Sequence, residues 1–163
     1  MKTAVTARSE EGAAGGLDDD GTDAKDLLAQ MDRFYLETDE IYRQGARKAG
    51  LSDSAFGILY SLMLDDGLTQ KQLCERSFTA KQTVSSSVRR LAERGLAMPE
   101  EGSERNAPIW LTAAGRAVVE ARVQPAYLAE LRAAEALNAS ERTTLARLLK
   151  RYTTALRTEF GAL

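Results

Sequence analysis

Large apolar residues recur every three or four positions along most of the chain from Ala24 onward, the spacing of amphipathic helices. The first such helix is expected over residues 24–49. A second helix is expected to begin after Ser52, whose hydroxyl can cap it. Two further helices are expected after Thr112 and after Ser140, which stand before later apolar repeats. The pattern therefore predicts a mainly α-helical fold.

Two short helices are expected between the longer ones. Thr69 stands three residues before Gln72, and Thr79 stands three residues before Gln82, the spacing of a capping box at a helix start. Phe78 lies in the short turn between the two helices, where we expect it to be a buried anchor. A helix, a tight turn and a second helix form a motif whose second helix can enter a DNA groove.

Beyond Gly95, which is well placed to end the second short helix, the apolar period shortens to two. Leu96 and Met98 alternate before the polar stretch PEEGSERNAP, and Ile109 and Leu111 alternate after it. This pattern predicts a small β-hairpin with a long tip, of the kind that forms the wing of a winged helix.

Residue composition excludes several classes of function. The 163 residues include one cysteine and no histidine, so histidine bases, Ser-His-Asp triads and histidine-ligated metals are absent from the chain. We therefore expect no catalytic residues, no metal site, no cofactor and no enzymatic activity. No apolar run is long enough for a membrane span and no signal peptide is evident, so a cytoplasmic protein without a membrane partner is expected.

The net charge of −2 conceals two regions of opposite character. Residues 1–23 hold six acidic and two basic residues with few large apolar groups, and are expected to form a disordered tail. Residues 69–95 hold six basic and two acidic residues. This local positive charge is compatible with nucleic-acid binding.

The second short helix, TAKQTVSSSVRRLAERG at residues 79–95, has the chemistry of a DNA-reading helix. On a helical wheel Val84, Val88 and Leu91 share one side, which should pack inward. Small hydroxyl side chains on the other side permit close approach to bases, and glutamine and arginine can read adenine and guanine. An ordinary solvated face is the alternative, and a capping role for Gln82 would compete with base contact. The candidate DNA-binding residues of this helix are Lys81, Gln82, Thr83, Ser85, Ser86, Arg89 and Arg90.

The tip of the predicted wing offers a second candidate contact. Arg105 and Asn106 could reach a minor groove, where narrow A·T-rich stretches attract arginine. Three nearby glutamates would repel phosphates, so a plain solvent loop is the alternative. They are Glu100, Glu101 and Glu104.

The run LTQKQLCERSFTAKQTVSSSVRRLAERGLAMPEEGSERNAPIWLTAAGR resembles the winged helix-turn-helix of MarR-family transcriptional regulators. KQTVSSSVRRLAERGL is similar to the family's recognition helix and LTAAGR to its motif after the wing; the resemblance covers about residues 25–160. It implies a homodimer that binds a roughly palindromic duplex operator, typically a repressor released by a small aromatic or anionic ligand. Residues 51–112 would form the winged-helix lobe of a domain spanning 24–163, and residues 24–50 and 113–163 its dimerisation helices. Ser103 and Ala107 replace the acidic and basic residues usual in the family's wing.

Two further features admit more than one interpretation. Tyr35, Tyr42, Phe56 and Tyr60 could line an effector pocket, although aromatic residues at helical spacing also suit a core. Cys74 could sense oxidation or could simply pack in the first short helix. The functional alternative to a DNA-binding regulator is a winged-helix protein-interaction module with weakened or lost DNA binding, which the acidic wing favours.

Overall fold

A computed structural model describes residues 23–100 and 107–163 of the chain. Up to Thr38 the chain forms one unit, whose described part is the first portion of the first helix, and Asp39–Leu163 forms another. The elements are α1 (Ala24–Lys48), α2 (Asp53–Leu64), β1 (Leu68–Thr69), α3 (Gln70–Ser77), α4 (Lys81–Glu93), β2 (Ala97–Pro99), β3 (Pro108–Leu111), α5 (Ala113–Val118), a π-helical turn (Val119–Val123), α6 (Gln124–Glu135) and α7 (Ala139–Gly161).

The core of the second unit lies where α2, α3, α4 and the sheet meet. Leu59 and Leu62 of α2, Leu73 of α3, Leu91 of α4 and Ile109 of β3 are each at most 1% exposed. The mainly α-helical winged helix-turn-helix predicted from the sequence is confirmed, with α3 and α4 as the helix-turn-helix pair.

A three-stranded antiparallel sheet forms the base of the wing, in the order β1-β3-β2. Leu68 pairs with Ile109, and Met98 pairs with Trp110. The sequence indicated the hairpin but missed β1, which has only two residues. The sequence predicts that Leu96 and Met98 alternate as apolar residues of one strand. Leu96 lies just before the strand and is buried, whereas Met98 lies in the strand and is exposed.

Helix starts follow the expected side-chain caps at three positions and depart from them at two. Ser52, Thr69 with Gln72, and Thr112 cap α2, α3 and α5 as predicted. The expected caps of α4 and α7 are wrong. Helix α4 begins after Ala80, which makes no side-chain cap, and α7 begins after Asn138, which forms a capping box with Glu141.

Phe78 is the clearest departure from the sequence-based expectation. It ends α3 in the left-handed conformation at φ 49° and ψ 31°, and its side chain is 92% exposed. The N–H groups of Phe78 and Thr79 both donate to the carbonyl of Cys74, which closes the helix end. The predicted buried anchor is therefore wrong, because the turn places this side chain in solvent.

The segment LTAAGR joins the wing to α5 by very close packing. The Thr112 hydroxyl accepts from the Gly115 N–H at 2.9 Å and donates to the Gly95 carbonyl at 2.6 Å. A Cβ on Gly115 would lie 1.8 Å from the carbonyl oxygen of Leu96, so only glycine permits this approach. The motif thereby holds the end of the wing against Gly95 and Leu96, which follow α4.

Asp66 and Arg116 complete the same junction. One Asp66 carboxylate oxygen accepts from the N–H groups of Leu111 at 2.9 Å and Gly67 at 3.1 Å. The other oxygen pairs with Arg116 Nη1 at 2.8 Å. The loop after α2, strand β3 and helix α5 are thus connected through one carboxylate.

The helix that follows the wing is interrupted once. A π-helical turn at Val119–Val123 separates α5 from α6, and Pro125 lies at the start of α6. Val119 and Val123 are both buried in the core. The interruption just before Pro125 thus takes the form of a wider turn.

We expect Gly115→Ala to lower the free energy of unfolding by about 3 kcal/mol, because the new methyl group meets a backbone oxygen that cannot move away. Gly57→Ala is a matched control: Gly57 is also helical, and a Cβ there meets nothing within 4 Å. The control should gain about 0.5–1 kcal/mol from helix propensity. Chemical denaturation monitored by circular dichroism measures both values, and equal effects would contradict the proposed close approach.

We expect Phe78→Gly to raise the free energy of unfolding by about 0.5–1 kcal/mol. Glycine relieves the left-handed strain, and the exposed ring gives up no burial. Gly95→Ala provides the reverse control at φ 65° in open space, with an expected loss of about 1 kcal/mol. A stability loss in Phe78→Gly would show that the ring makes a stabilising contact.

Candidate nucleic-acid interface and effector cleft

The rotation of α4 about its axis is set by its buried face. Val84, Ser87, Val88 and Leu91 are all buried. Ser87 donates from its hydroxyl to the Ser54 hydroxyl at 2.8 Å, which satisfies a polar group inside the contact with α2. The apolar contacts and this hydrogen bond leave the opposite face of α4 as the outward one.

The outward face of α4 carries the residues expected to read DNA. Gln82, Ser86 and Arg89 lie on a stripe opposite the buried face at helical spacing. Lys81, Gln82, Ser85, Ser86 and Arg89 surround a shallow open depression of about 550 Å³. The candidate residues are exposed, apart from the half-buried Ser86: Lys81, Gln82, Thr83, Ser85, Ser86, Arg89 and Arg90.

Local contacts orient the two arginines of this face. Arg90 Nη2 donates to the Ser86 hydroxyl at 3.4 Å, and that hydroxyl donates to the Thr83 carbonyl at 3.0 Å. Arg89 Nε lies 3.7 Å from a carboxylate oxygen of Glu93, one turn further along. Because both groups of this pair are exposed, the pair is weak and Arg89 can exchange it for another anion.

The start of α4 is open to an anion. Ala80 is the N-cap, and no side chain of the described residues caps the first turn. The Ala80 carbonyl accepts the N–H groups of Thr83 and Val84. The N–H groups of Lys81 and Gln82 at the positive end of the helix dipole therefore suit a phosphate, with the Lys81 ammonium group beside them. Gln82 is also released from the predicted cap.

Two sequence-based predictions fall outside the described residues. Arg105 and Asn106, the candidate minor-groove contacts, lie in the gap between the two described ranges, and the predicted disordered tail of residues 1–23 lies almost wholly before the first range. The division into a lobe at 51–112 and flanking dimerisation helices remains a prediction.

A cleft of about 570 Å³ lies within the second unit, between α2, α6 and the last turns of α1. Three of the four aromatic residues predicted to form an effector pocket line it: Tyr42, Phe56 and Tyr60. The fourth, Tyr35, is 70% exposed and is not among the lining residues. The Phe56 and Tyr60 ring centroids are 6.2 Å apart.

The sequence did not single out Glu130, whose carboxylate lies beside the tyrosines of this cleft. Its Oε2 accepts the Tyr60 hydroxyl in a short hydrogen bond. Burial raises the pKa of Tyr60, and the nearby carboxylate raises it further; the same two causes raise the pKa of Tyr42. A lone acidic residue on an otherwise ordinary helix carries no sequence signal, since only the fold brings it opposite α2.

Cys74 lies partly buried against the core, as a packing residue would. Within residues 23–100 and 107–163, no cluster of three or more potential ligands that could hold a metal ion is found. None of the described helices combines the length and hydropathy needed to cross a lipid bilayer.

One protein-family model matches the central segment of the chain. A family model described as MarR family matches residues 49–105, which include α2, the helix-turn-helix and the first strand of the hairpin. A comparison with curated protein sequences gave no match.

Several solved structures share the fold. NMB1585, a MarR family regulator from Neisseria meningitidis, is 23% identical with a TM-score of 0.75, over 83% of this chain and 96% of that one. MepR of S. aureus, solved as a DNA complex, is 23% identical with a TM-score of 0.62, over 80% and 96%. BpsR of Bordetella bronchiseptica, whose DNA binding is regulated by 6-hydroxynicotinic acid, is 23% identical with a TM-score of 0.61, over 78% and 98%.

The matched segment and the shared fold agree with each other and with the motifs read from the sequence. The resemblance of this chain to the MarR-family transcriptional regulators is thereby confirmed.

Proposed function

We propose that this chain is a sequence-specific DNA-binding transcriptional regulator that acts as a ligand-responsive homodimeric repressor. The observation that carries the proposal is the outward face of α4, where arginine, lysine, glutamine and serine side chains surround one open depression. Small serines let the helix backbone approach base edges, while glutamine and arginine supply bidentate contacts. The solved DNA complex of MepR, which has this fold, supports the proposal.

The proposed contacts divide into two kinds. Gln82 and Arg89, on the stripe opposite the core, are placed to reach base edges. Lys81, beside the open N–H groups of the first turn, is placed to bind phosphate. Arg90 lies at the flank and is held by Ser86, so it suits the backbone of one strand.

The apolar faces of the terminal helices support a dimer. Helix α7 contains no buried residue among its 23, although Leu145, Leu148, Leu149 and Leu156 share one side of it. These leucines are 39–46% exposed, and covering each would contribute about 1 kcal/mol. A second copy of the chain would cover this surface and present a second α4 to the next half-site of an operator.

We expect Arg89→Ala and Arg90→Ala each to weaken operator binding about tenfold or more. If the replaced arginine contacts a base, the variant should also lose discrimination at one base position. If it contacts a phosphate, the slope of the logarithm of the binding constant against the logarithm of the salt concentration should fall by about one. The operator is first selected from genomic fragments with purified protein. Fluorescence anisotropy from 50 to 300 mM salt then measures affinity and slope.

Two matched variants control this experiment. Arg147→Ala removes the same charge from the polar side of α7 and should leave DNA affinity unchanged. Glu93→Gln removes the acidic partner of Arg89 from the proposed contact face, so binding should tighten. Unchanged affinity in both arginine variants would contradict the assignment of this face. If the wild-type chain binds no DNA duplex even at low salt, the protein-interaction module is favoured.

We expect the double variant Leu145→Glu/Leu149→Glu to be monomeric, because four acidic groups would face one another in the dimer. Light scattering coupled to size-exclusion chromatography should give twice 17.8 kDa for the wild type and 17.8 kDa for the variant. Arg147→Glu, on the opposite side of α7, is the control and should remain dimeric. A monomeric wild type would contradict the dimer.

A further inference from the structure

We infer that the cleft lined by Tyr42, Phe56, Tyr60 and Glu130 selects a positively charged aromatic compound, with the Glu130 carboxylate as its anchor. This ligand class specifies the ligand of the proposed regulator, so its regulatory role rests on the proposed function. It differs in charge from the aromatic acid that regulates DNA binding by BpsR.

Glu130, which lines the cleft, has one carboxylate oxygen that accepts no hydrogen bond from the described residues. Its Oε2 is engaged by the Tyr60 hydroxyl. Its Oε1 is buried and, among the described residues, has no hydrogen-bond partner. A buried carboxylate oxygen without a donor costs free energy, which a ligand N–H group can recover by donating to it.

The two arginines that line the cleft are already paired with carboxylates. Arg43 Nη2 lies 2.7 Å from Asp39, and its Nε, which makes no hydrogen bond, lies 3.6 Å from Glu40. Arg76 Nη1 lies 3.6 Å from Asp65. An anionic ligand would compete with these carboxylates for the arginines and would also face Glu130.

The charges of the lining are unequal. Three acidic groups, Asp39, Asp53 and Glu130, line the cleft with the two paired arginines. This excess of negative charge favours a cation over an anion of the same shape.

The aromatic walls suit the same ligand. Phe56 and Tyr60, which line the cleft, have ring centroids 6.2 Å apart. The negative faces of aromatic rings attract cations, and their apolar area packs against an aromatic body. A volume of about 570 Å³ is large enough for a two-ring compound.

The cleft also contacts the segment that leads into α4. Arg76 and Ser77, the last residues of α3, belong to its lining. Phe78, Thr79 and Ala80 then connect α3 directly to α4. A ligand that shifts the end of α3 would shift the start of α4, which is the route by which occupancy would change operator affinity.

The test uses a pair of compounds matched in shape and opposite in charge, 1-naphthylmethylammonium and 1-naphthylacetate. Isothermal titration calorimetry on the full chain without DNA should show at least tenfold tighter binding of the ammonium compound. Glu130→Gln keeps an acceptor for Tyr60 but removes the charge, and should weaken ammonium binding at least tenfold. Glu135→Gln, an exposed position on the same helix, is the matched control and should not change it.

A second variant guards against misfolding of the first. Tyr60→Phe keeps the ring and releases Oε2 of Glu130, so it should bind the ammonium compound at least as tightly as the wild type. The inference is overturned if the acetate binds as tightly as the ammonium compound, if neither binds at millimolar concentration, or if Glu130→Gln folds and binds like wild type. If Glu130→Gln does not fold, the preference of the wild type and the Tyr60→Phe result decide.

Operator anisotropy with and without the ammonium compound is measured separately. A compound that binds through Glu130 and lowers operator affinity supports both the ligand class and its regulatory role. Failure of the calorimetric test with intact operator binding overturns the ligand class alone, whereas failure of operator binding overturns the proposed function while the calorimetric result stands.

Discussion

The one-sided burial of α4 is the constraint on which the proposed reading of DNA depends. Val84, Val88 and Leu91 enter the core, and Ser87 adds a hydrogen bond to Ser54 that has one good geometry. Apolar contacts alone permit some rotation of a helix. Rotation of α4 would also break the hydrogen bond between the two hydroxyl groups and leave the buried Ser87 hydroxyl unsatisfied, which costs free energy. The rotation fixed in this way decides which side chains face outward.

The wing is held by a different kind of interaction. Asp66 uses both carboxylate oxygens to connect the loop after α2 with β3 and Arg116, while Thr112 and Gly115 bring α5 against the backbone at Leu96. These contacts are polar and short, and they join segments far apart in sequence. A small sheet with few apolar residues can therefore keep a defined position relative to α4.

Much of this architecture could be predicted from the sequence because the signals are local. Helical periodicity, the Thr69–Gln72 capping box and the glycine after α4 act within a few residues, and the structure confirms each of them. The failures have tertiary or competing causes. Phe78 is apolar but lies in a turn that points outward. Asn138 competes with Ser140 for one helix start, and two acceptable caps in one segment cannot be ranked by spacing alone.

The candidate sites divide along the same line. The outward face of α4 follows from a single helix, so its residues could be listed from the sequence. The cleft could be predicted only in part, because Tyr42, Phe56 and Tyr60 are aromatic and conspicuous whereas Glu130 becomes important only through its distance from Tyr60.

The π-helical turn at Val119–Val123 has a consequence for the carboxylate in this cleft. A π turn accommodates one residue more than the corresponding α turn, and so shifts the angular phase of everything downstream by about 100°. Glu130 lies seven residues beyond this turn, so the extra residue changes the direction in which its side chain points from the axis of α6. A single codon lost from this turn would point the carboxylate away from the aromatic rings without altering any side chain of α6.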